Sequence, residues 1–400
     1  MKFNPKPQDK INLFRQEFTF QEHPNAPGMP FSLEGSRAFV YQLKDRPGRT
    51  HCLKVFKPRS RDARIAESQV QLQKLEKLPG LSAAVRRVVP PSDKAARQYP
   101  ELAYAVFMPW IAGRTWAEML MEAARKGAAY PKQEAVRLCT DFLETLSNLE
   151  GEKIAHTDIS SSNVIFQSSK QATELLDLED VYMPGAVKPL QPTNGTPNYQ
   201  HQAGKITWCL YGDRYAGAVL ASEILLLSDP SAARRATDTG YFAGNCTSPE
   251  ARQRFDEAQR WFQREAPAFG ELFHFTWWAD SLENCPPIAD LKAAAAKVPA
   301  GGRVQVFTPS VPECEPETVT PPKPLTFQPD AVHVAWEPIA PAGKQLFEWV
   351  QAAPPAGTFR QPAPRPVVAK PSSRRKSMGV ALLVAFILLF LMWLIARLVG

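Results

Sequence analysis

No two of the six cysteines in this 400-residue chain (Cys52, Cys139, Cys209, Cys246, Cys285 and Cys314) stand as CxxC. That excludes the usual spacing of a zinc site and of a dense disulfide framework, and reduced thiols in a cytosolic domain fit instead. Met1 to Phe20 contains no apolar run of the secretory kind, so the first domain is expected to stay in the cytosol. There is no stripe of one charge sign either. The net charge is +7 and the basic residues are scattered, which gives no footprint for a nucleic-acid partner. What is present is ample: 44% hydrophobic and 22% charged residues build a large core rather than a disordered chain, and the length suits two or three domain-sized pieces.

Ser377 to Ala396 carries no charge, and Val380 to Ile395 is continuously apolar. At ~1.5 Å per residue such a helix crosses a hydrocarbon core of ~30 Å. Arg374, Arg375 and Lys376 precede it and only Arg397 follows, a bias that keeps the N-terminal part in the cytoplasm. The expectation is a single-pass tail anchor in the inner (cell) membrane over 377–399. Before it, residues 297–376 are rich in proline, with PPKP at Pro321–Pro324 and PAPRP at Pro362–Pro366. Such a segment favours extended polyproline conformation and reads as a flexible linker. The short apolar stretch Ala342–Ala353 within it is either an amphipathic docking element or a few hydrophobic residues in a linker.

Within residues 1–296 strand-like stretches come first (Ala38 to Leu43, His51 to Phe56, Leu102 to Met108). Helical stretches follow (Lys132 to Glu150, Tyr215 to Ser228, Pro249 to Glu265). That order predicts an α+β molecule with a sheet-rich part, a helical part and a cleft between them.

The sharpest chemical signal is IAHTDISSSNVIF, in which Asp158 and Asn163 share a polar loop between a helix and an apolar run. Phosphoryl transfer needs one group to orient and accept the proton of an attacking hydroxyl, and another to hold a metal ion on the nucleotide phosphates. A carboxylate and an amide at this spacing suit those tasks. Further on, ELLDLED gathers Asp177, Glu179 and Asp180 at a strand exit. Carboxylates there could bind Mg²⁺, and which of the three does so is left open.

HTDISSSN resembles the HRDxxxxN catalytic loop of bacterial eukaryotic-like Ser/Thr protein kinases, and DLE resembles a degenerate DFG. EGSRAFVYQL followed by HCLKVF is similar to their phosphate-covering loop and lysine strand. AYAVFMPWIAGRTW is similar to their hinge, NGTPNYQHQ to the end of the activation segment, and YGDRYAGAVLASEILL to the helix after it. DLEDVYMPG and GTPNYQHQ resemble a divergent subgroup. The resemblance covers about residues 30 to 295 and implies a bilobal protein kinase-like fold over 1–296. It implies catalytic roles for Asp158, Lys54 and Asn163. Nucleotide contacts would come from Gly35, Val40, Lys54, Phe107 and Met108, with the hinge backbone around Phe107 to Pro109 meeting the adenine. Asn163 and Asp177 would be metal ligands, and His156 and Asp213 would support the catalytic loop. The lysine's ion-pair partner would be Glu67, preferred to Glu76 because apolar Val70, Leu72 and Leu75 follow it.

The implied cofactors are ATP and Mg²⁺, with Mn²⁺ as a substitute. The implied partners are protein substrates near the membrane and the bilayer itself. The implied activity is transfer of the γ-phosphate to protein hydroxyls at the cytoplasmic face, with a nucleotide-binding pseudokinase scaffold and a small-molecule phosphotransferase as alternatives. The departures are specific. Leu33 and Ala38 stand where two glycines would, Ser160 replaces the catalytic-loop lysine, and Glu179 stands in the third position of DLE. Trp277 and Trp278 are expected in the helical core, and His201 at the surface or the substrate site.

Overall fold

The computed structural model describes residues 2–167, 172–189, 192–202, 204–242 and 248–299. The chain divides into Met1–Val311 and Pro312–Gly400. Apart from residues 297–299 of the expected proline-rich linker, that linker and the expected transmembrane helix, with the second unit, lie outside the described residues. Among the described residues no helix is long and apolar enough to cross a membrane.

The fold is mixed α/β, with strands early and helices late, as the sequence order predicts. Strands β1 (Lys10–Leu13) and β2 (Gln16–Phe20) form a hairpin, followed by β3 (Glu22–His23), β4 (Ala26–Pro30) and β5 (Ser32–Glu34). Next come β6 (Ala38–Asp45) and β7 (Thr50–Phe56), then helix α1 (Arg64–Leu72), β8 (Arg87–Val88), the short helix α2 (Lys94–Gln98) and β9 (Val106–Pro109). A curled seven-stranded antiparallel sheet runs β1-β2-β6-β7-β9-β8, with β5 added beside β6. The β6–β7 turn is closed by Asp45, whose Oδ1 accepts from Arg49 N at 2.7 Å, and by Gly48 at φ +92°, a backbone angle that glycine adopts without steric cost. The expected strand from Leu102 to Met108 is shorter than predicted. Pro100–Leu102 is a 3₁₀ turn, and Tyr104 has φ +65°, so the extended run begins at Val106.

The sheet has two apolar faces because strand side chains alternate. On one face Ile11, Leu13, Phe18 and Phe20 join Leu43, Leu53, Val55 and Phe107. On the other, Ala38, Cys52, Phe56, Val106 and Met108 belong to a core continuous with the helices. Lys54 pairs across from Val40 of β6 and Val106 of β9.

The helical part contains α3 (Trp116–Lys126), α4 (Lys132–Gly151), α5 (Arg214–Leu226), α6 (Pro230–Arg235), α7 (Pro249–Glu265), α8 (Pro267–Trp278) and α9 (Ile288–Ala295). A small antiparallel sheet of β10 (Arg114–Thr115), β11 (Val164–Gln167) and β12 (Ala172–Leu175) lies in the same stretch of chain. Helix α3 starts at a capping box between Thr115 and Glu118 and ends at Gly127 in the left-handed region, which satisfies backbone groups at both ends. Helix α4 buries Leu138, Phe142, Leu146 and Leu149, a helical repeat. Helix α5 is buried on every side, so it lies inside the helical part rather than on it. Trp277 is in this core, but Trp278 is 43% exposed beneath the Arg252 guanidinium. His201 is buried rather than at the surface, its ring 5.1 Å from that of Tyr215.

Candidate active site

The loop from Ile154 to Asn163 is fixed from beneath by Asp213, at the start of α5. Its Oδ2 accepts from His156 N at 2.5 Å and its Oδ1 from Thr157 N at 2.7 Å. Burial pushes the Asp213 pKa up, against the two N–H groups that it accepts. These bonds hold Thr157 at φ +73°, an uncommon angle for a β-branched residue. Thr157 O accepts from Thr207 Oγ1 at 2.6 Å, and Thr157 Oγ1 donates to Asp180 O at 2.9 Å. His156 Nδ1 accepts from Asp158 N at 3.3 Å and Nε2 lies 2.5 Å from Leu176 O. That pattern assigns a neutral ring with its proton on Nε2. His156 therefore braces the loop.

Asp158 and Asn163 meet at the end of this loop. Asn163 Nδ2 donates to Asp158 O at 2.9 Å, and Asp158 Oδ1 accepts from Thr196 Oγ1 at 2.7 Å. Both side chains are partly open to solvent. Leu176 N donates to Asn163 O at 2.9 Å, which ties the loop to the segment carrying Asp177. Ser160 is buried, and its hydroxyl meets Ser162 Oγ at 3.2 Å.

Lys54 reaches this segment from β7. Its Nζ lies 2.5 Å from Asp177 Oδ1 and 2.7 Å from Glu179 Oε2. Glu179 Oε1 accepts from Arg86 Nη1 at 2.8 Å, and Arg86 Nε donates to Ala83 O at 2.9 Å. Asp177 sits at φ +62°, ψ +55°, and the single 3₁₀ turn Leu178–Asp180 follows. This kink drives Leu178 into the core and leaves both flanking carboxylates on Lys54. Burial opposes the Lys54 charge, but the two carboxylates outweigh it and raise its pKa. Burial also acts to raise Glu179, yet Lys54 and Arg86 hold it well below the ordinary carboxylate range. Asp177 goes the other way: burial and the nearby Glu179 charge push it up to about 6 against the pull of Lys54, although a third of its side-chain surface remains open to solvent.

Glu67 does not hold Lys54. It stands exposed on α1, and Glu76 is exposed as well. Val70 is 65% exposed while Leu72 and Leu75 are buried, so the helix turns a face other than the expected one inward. Gly35 closes the β5–β6 turn by donating its N–H to Ala38 O at 2.8 Å. The next turn residue, Arg37, pairs with Asp180 Oδ2 at 2.5 Å. Val40 and Met108 share the Lys54 face of the sheet. Phe107 does not: its ring lies on the opposite face, 4.9 Å from His51 and 4.7 Å from Phe18. Its backbone is not free either, because β9 is an interior strand and Phe107 lies opposite Leu53 of β7 and Arg87 of β8, and Pro109 has no N–H to offer.

Among the described residues no group of three His, Cys, Asp or Glu side chains is arranged to hold a metal ion. Glu179 is taken up by Lys54 and Arg86 and Asp180 by Arg37, which leaves as candidate donors the partly open Asp177 and the amide of Asn163, whose backbone is bonded to Leu176. Mg²⁺ is commonly held by one or two carboxylates with substrate phosphates and water completing the shell, so this set fits a nucleotide-borne ion. Sequence reading missed Arg86, the bond from Thr196 to Asp158, and the role of Glu179 as the partner of Lys54. Glu179 stood within DLE and Thr196 within NGTPNYQHQ, whereas no motif marked Arg86. No protein-family model matches this chain, and no curated protein matches it either.

Proposed function

We propose that this chain is an ATP-dependent protein serine/threonine kinase of the bacterial eukaryotic-like type, with a bilobal kinase-like fold over residues 1–296 and a membrane tether near its C-terminus. Lys54 binds the nucleotide phosphates. Asp158 orients the substrate hydroxyl and accepts its proton, and its carboxylate is aimed by Thr196. Asn163 and Asp177 hold Mg²⁺, which when bound neutralises charge on the transferring phosphoryl group. Val40 and Met108 line the base-binding face. The observation that carries this reading is the meeting of Lys54 and Asp177, 123 positions apart in the chain, beside a loop that fixes Asp158 and Asn163 together. The tether rests on the apolar run before Ile395 and confines the enzyme to substrates at the cytoplasmic membrane face.

The test is incubation of the full chain with γ-labelled ATP, Mg²⁺ and generic acceptor proteins, beside Lys54→Ala and Asp158→Asn. Label on serine or threonine should fall by about 10²-fold or more in Asp158→Asn, the usual scale for a lost proton acceptor. Equal labelling in all three proteins refutes the reading. One observation favours a second reading, a nucleotide-responsive scaffold. Ser160 is buried on Ser162 and puts no cation beside the reacting groups. ATP binding without any transfer would select it.

A further inference from the structure

We infer that Glu179 is the positioning residue of the phosphate-binding lysine, and that Arg86 fixes it there, so that Lys54 is held in place without any carboxylate from helix α1. This deepens the proposed kinase reading and rests on it.

The geometry is a chain of three buried charges. Each Glu179 oxygen serves one cation, Oε2 to Lys54 at 2.7 Å and Oε1 to Arg86 at 2.8 Å. The Glu179 side chain is 5% exposed. Arg86 does not ride on α1. It lies in the segment after it, where Ser82 N and Ser82 Oγ both donate to Glu174 of β12, at 2.9 and 2.7 Å. The anchor of Glu179 is therefore built into the small sheet beside the catalytic loop, while both candidate carboxylates of the α1 region point to solvent.

Charge counting gives the consequence. Lys54 and Arg86 face Asp177 and Glu179, two against two. Asp177 would have to release Lys54 to hold a divalent ion, and Glu179 would then keep the ammonium in position. With Glu179 neutralised, Lys54 has Asp177 as its one carboxylate partner in this cluster. A buried cation does not give up its last counter-charge easily. Asp177 would then release Lys54 less readily to hold an ion.

The test is calorimetric titration of the full chain with ATP over a series of Mg²⁺ concentrations, for wild type, Glu179→Gln, Glu179→Asp and Glu67→Gln. Glu179→Gln should raise the Mg²⁺ concentration for half-maximal ATP binding by about tenfold or more, equal to ~1.4 kcal/mol of added competition. Glu67→Gln should leave it within about twofold. A residue that merely stabilised the fold would lower the melting temperature without moving the Mg²⁺ requirement. If Glu179→Gln does not fold, Glu179→Asp carries the test. Its carboxylate is one methylene too short to reach both cations, and a shift of about threefold or more is expected. An unchanged Mg²⁺ requirement in the folded variant, or an equal shift in Glu67→Gln, overturns the inference and leaves the kinase reading standing. Failure of the wild type to bind ATP at all removes the kinase reading and this inference with it.

Discussion

Replacing Asp213 by asparagine tests whether the loop from Ile154 to Asn163 is held by one carboxylate. Asp213 is 6% exposed and accepts two short backbone N–H bonds, from His156 and Thr157. Hydrogen bonds to a charged acceptor contribute about 1.5–3 kcal/mol each. The amide keeps one accepting oxygen and turns an NH₂ toward the other N–H, so one bond is lost and one buried donor is left without a partner. Part of the loss is recovered if Thr157 relaxes from its left-handed conformation, which itself stores ~1–3 kcal/mol. The net expectation is a fall in unfolding free energy of about 2–4 kcal/mol. Guanidinium denaturation should show a lower midpoint with an unchanged slope. Amide exchange at His156 and Thr157 should speed up by about 30-fold or more, while exchange in β6 and β7 changes only as far as global stability does. ATP affinity should hold, because Lys54 and Glu179 belong to a separate set of bonds, and phosphoryl transfer should fall with the loss of a fixed Asp158. Stability within ~0.5 kcal/mol of wild type, with protected amides at 156 and 157, would refute the argument.

Two further substitutions probe the frame around the site. Buried Glu223 of α5 accepts from Tyr199 Oη at 2.8 Å, Trp116 Nε1 at 3.1 Å and Tyr241 N at 2.6 Å, and burial still pushes its pKa from the ordinary 4.5 up to about 7. The folded form thus keeps a proton that the unfolded chain has released. The stabilisation is complete below pH 4.5 and lost as pH rises through 7, a change of ~3 kcal/mol. The stability difference between wild type and Glu223→Gln, followed by denaturation from pH 4.5 to 8, should shrink by about that amount, and a flat difference would sink the idea. Gly80, at φ +83°, is packed so tightly that a Cβ there would overlap Thr145 Cγ2 and approach Thr173 O to 2.9 Å. Gly80→Ala should cost about 2–4 kcal/mol through backbone strain and overpacking, and a melting temperature unchanged from wild type would contradict that packing.

The elements with strong periodicity were legible. The helix predicted over Pro249 to Glu265 has those bounds, and the strands around Val40 and Lys54 pair as a hairpin. The β1–β2 hairpin was not legible, although Ile11, Leu13, Phe18 and Phe20 alternate inward. Its two-residue turn consists of Phe14 and Arg15, both at positive φ, where the usual signal is Asn-Gly or another glycine pair. A long-range contact substitutes for turn propensity there, with the Arg87 guanidinium 3.8 Å above the Phe14 ring. In the site, the motifs put Lys54 and Asp177 in one set of residues but named Glu67, not Asp177, as the lysine's partner; the structure joins Lys54 and Asp177 at 2.5 Å. The role of Glu179 did not follow from them, because motif spacing says which residues share a loop and not which buried cation an extra carboxylate will meet. Arg86 follows a 3₁₀ turn at Ser82–Ala84 and no local pattern marks it. Glu67 failed for a related reason: the apolar residues after it do not fix the rotation of a nine-residue helix, and Val70 turned outward.

The links between the sheet and the loops of the helical part differ in strength, and the order in which they yield follows from burial. Arg37 and Asp180 are joined at 2.5 Å, but the arginine side chain is 47% exposed, and exposed pairs of this kind contribute ~0–1 kcal/mol. Removing one partner of a buried pair costs about 3–5 kcal/mol because it strands the other charge, and Lys54, Glu179 and Arg86 are all buried. The Gly80 junction is backbone, with Leu175 N donating to Gly80 O at 2.8 Å in a space that admits no side chain. A turn swinging away at Gly35 to Arg37 therefore breaks the surface pair and the bond from Lys57 N to Arg37 O, but none of the buried links. Lys54, held by Glu179 and Asp177, is tied to the helical part by bonds that such a displacement leaves intact.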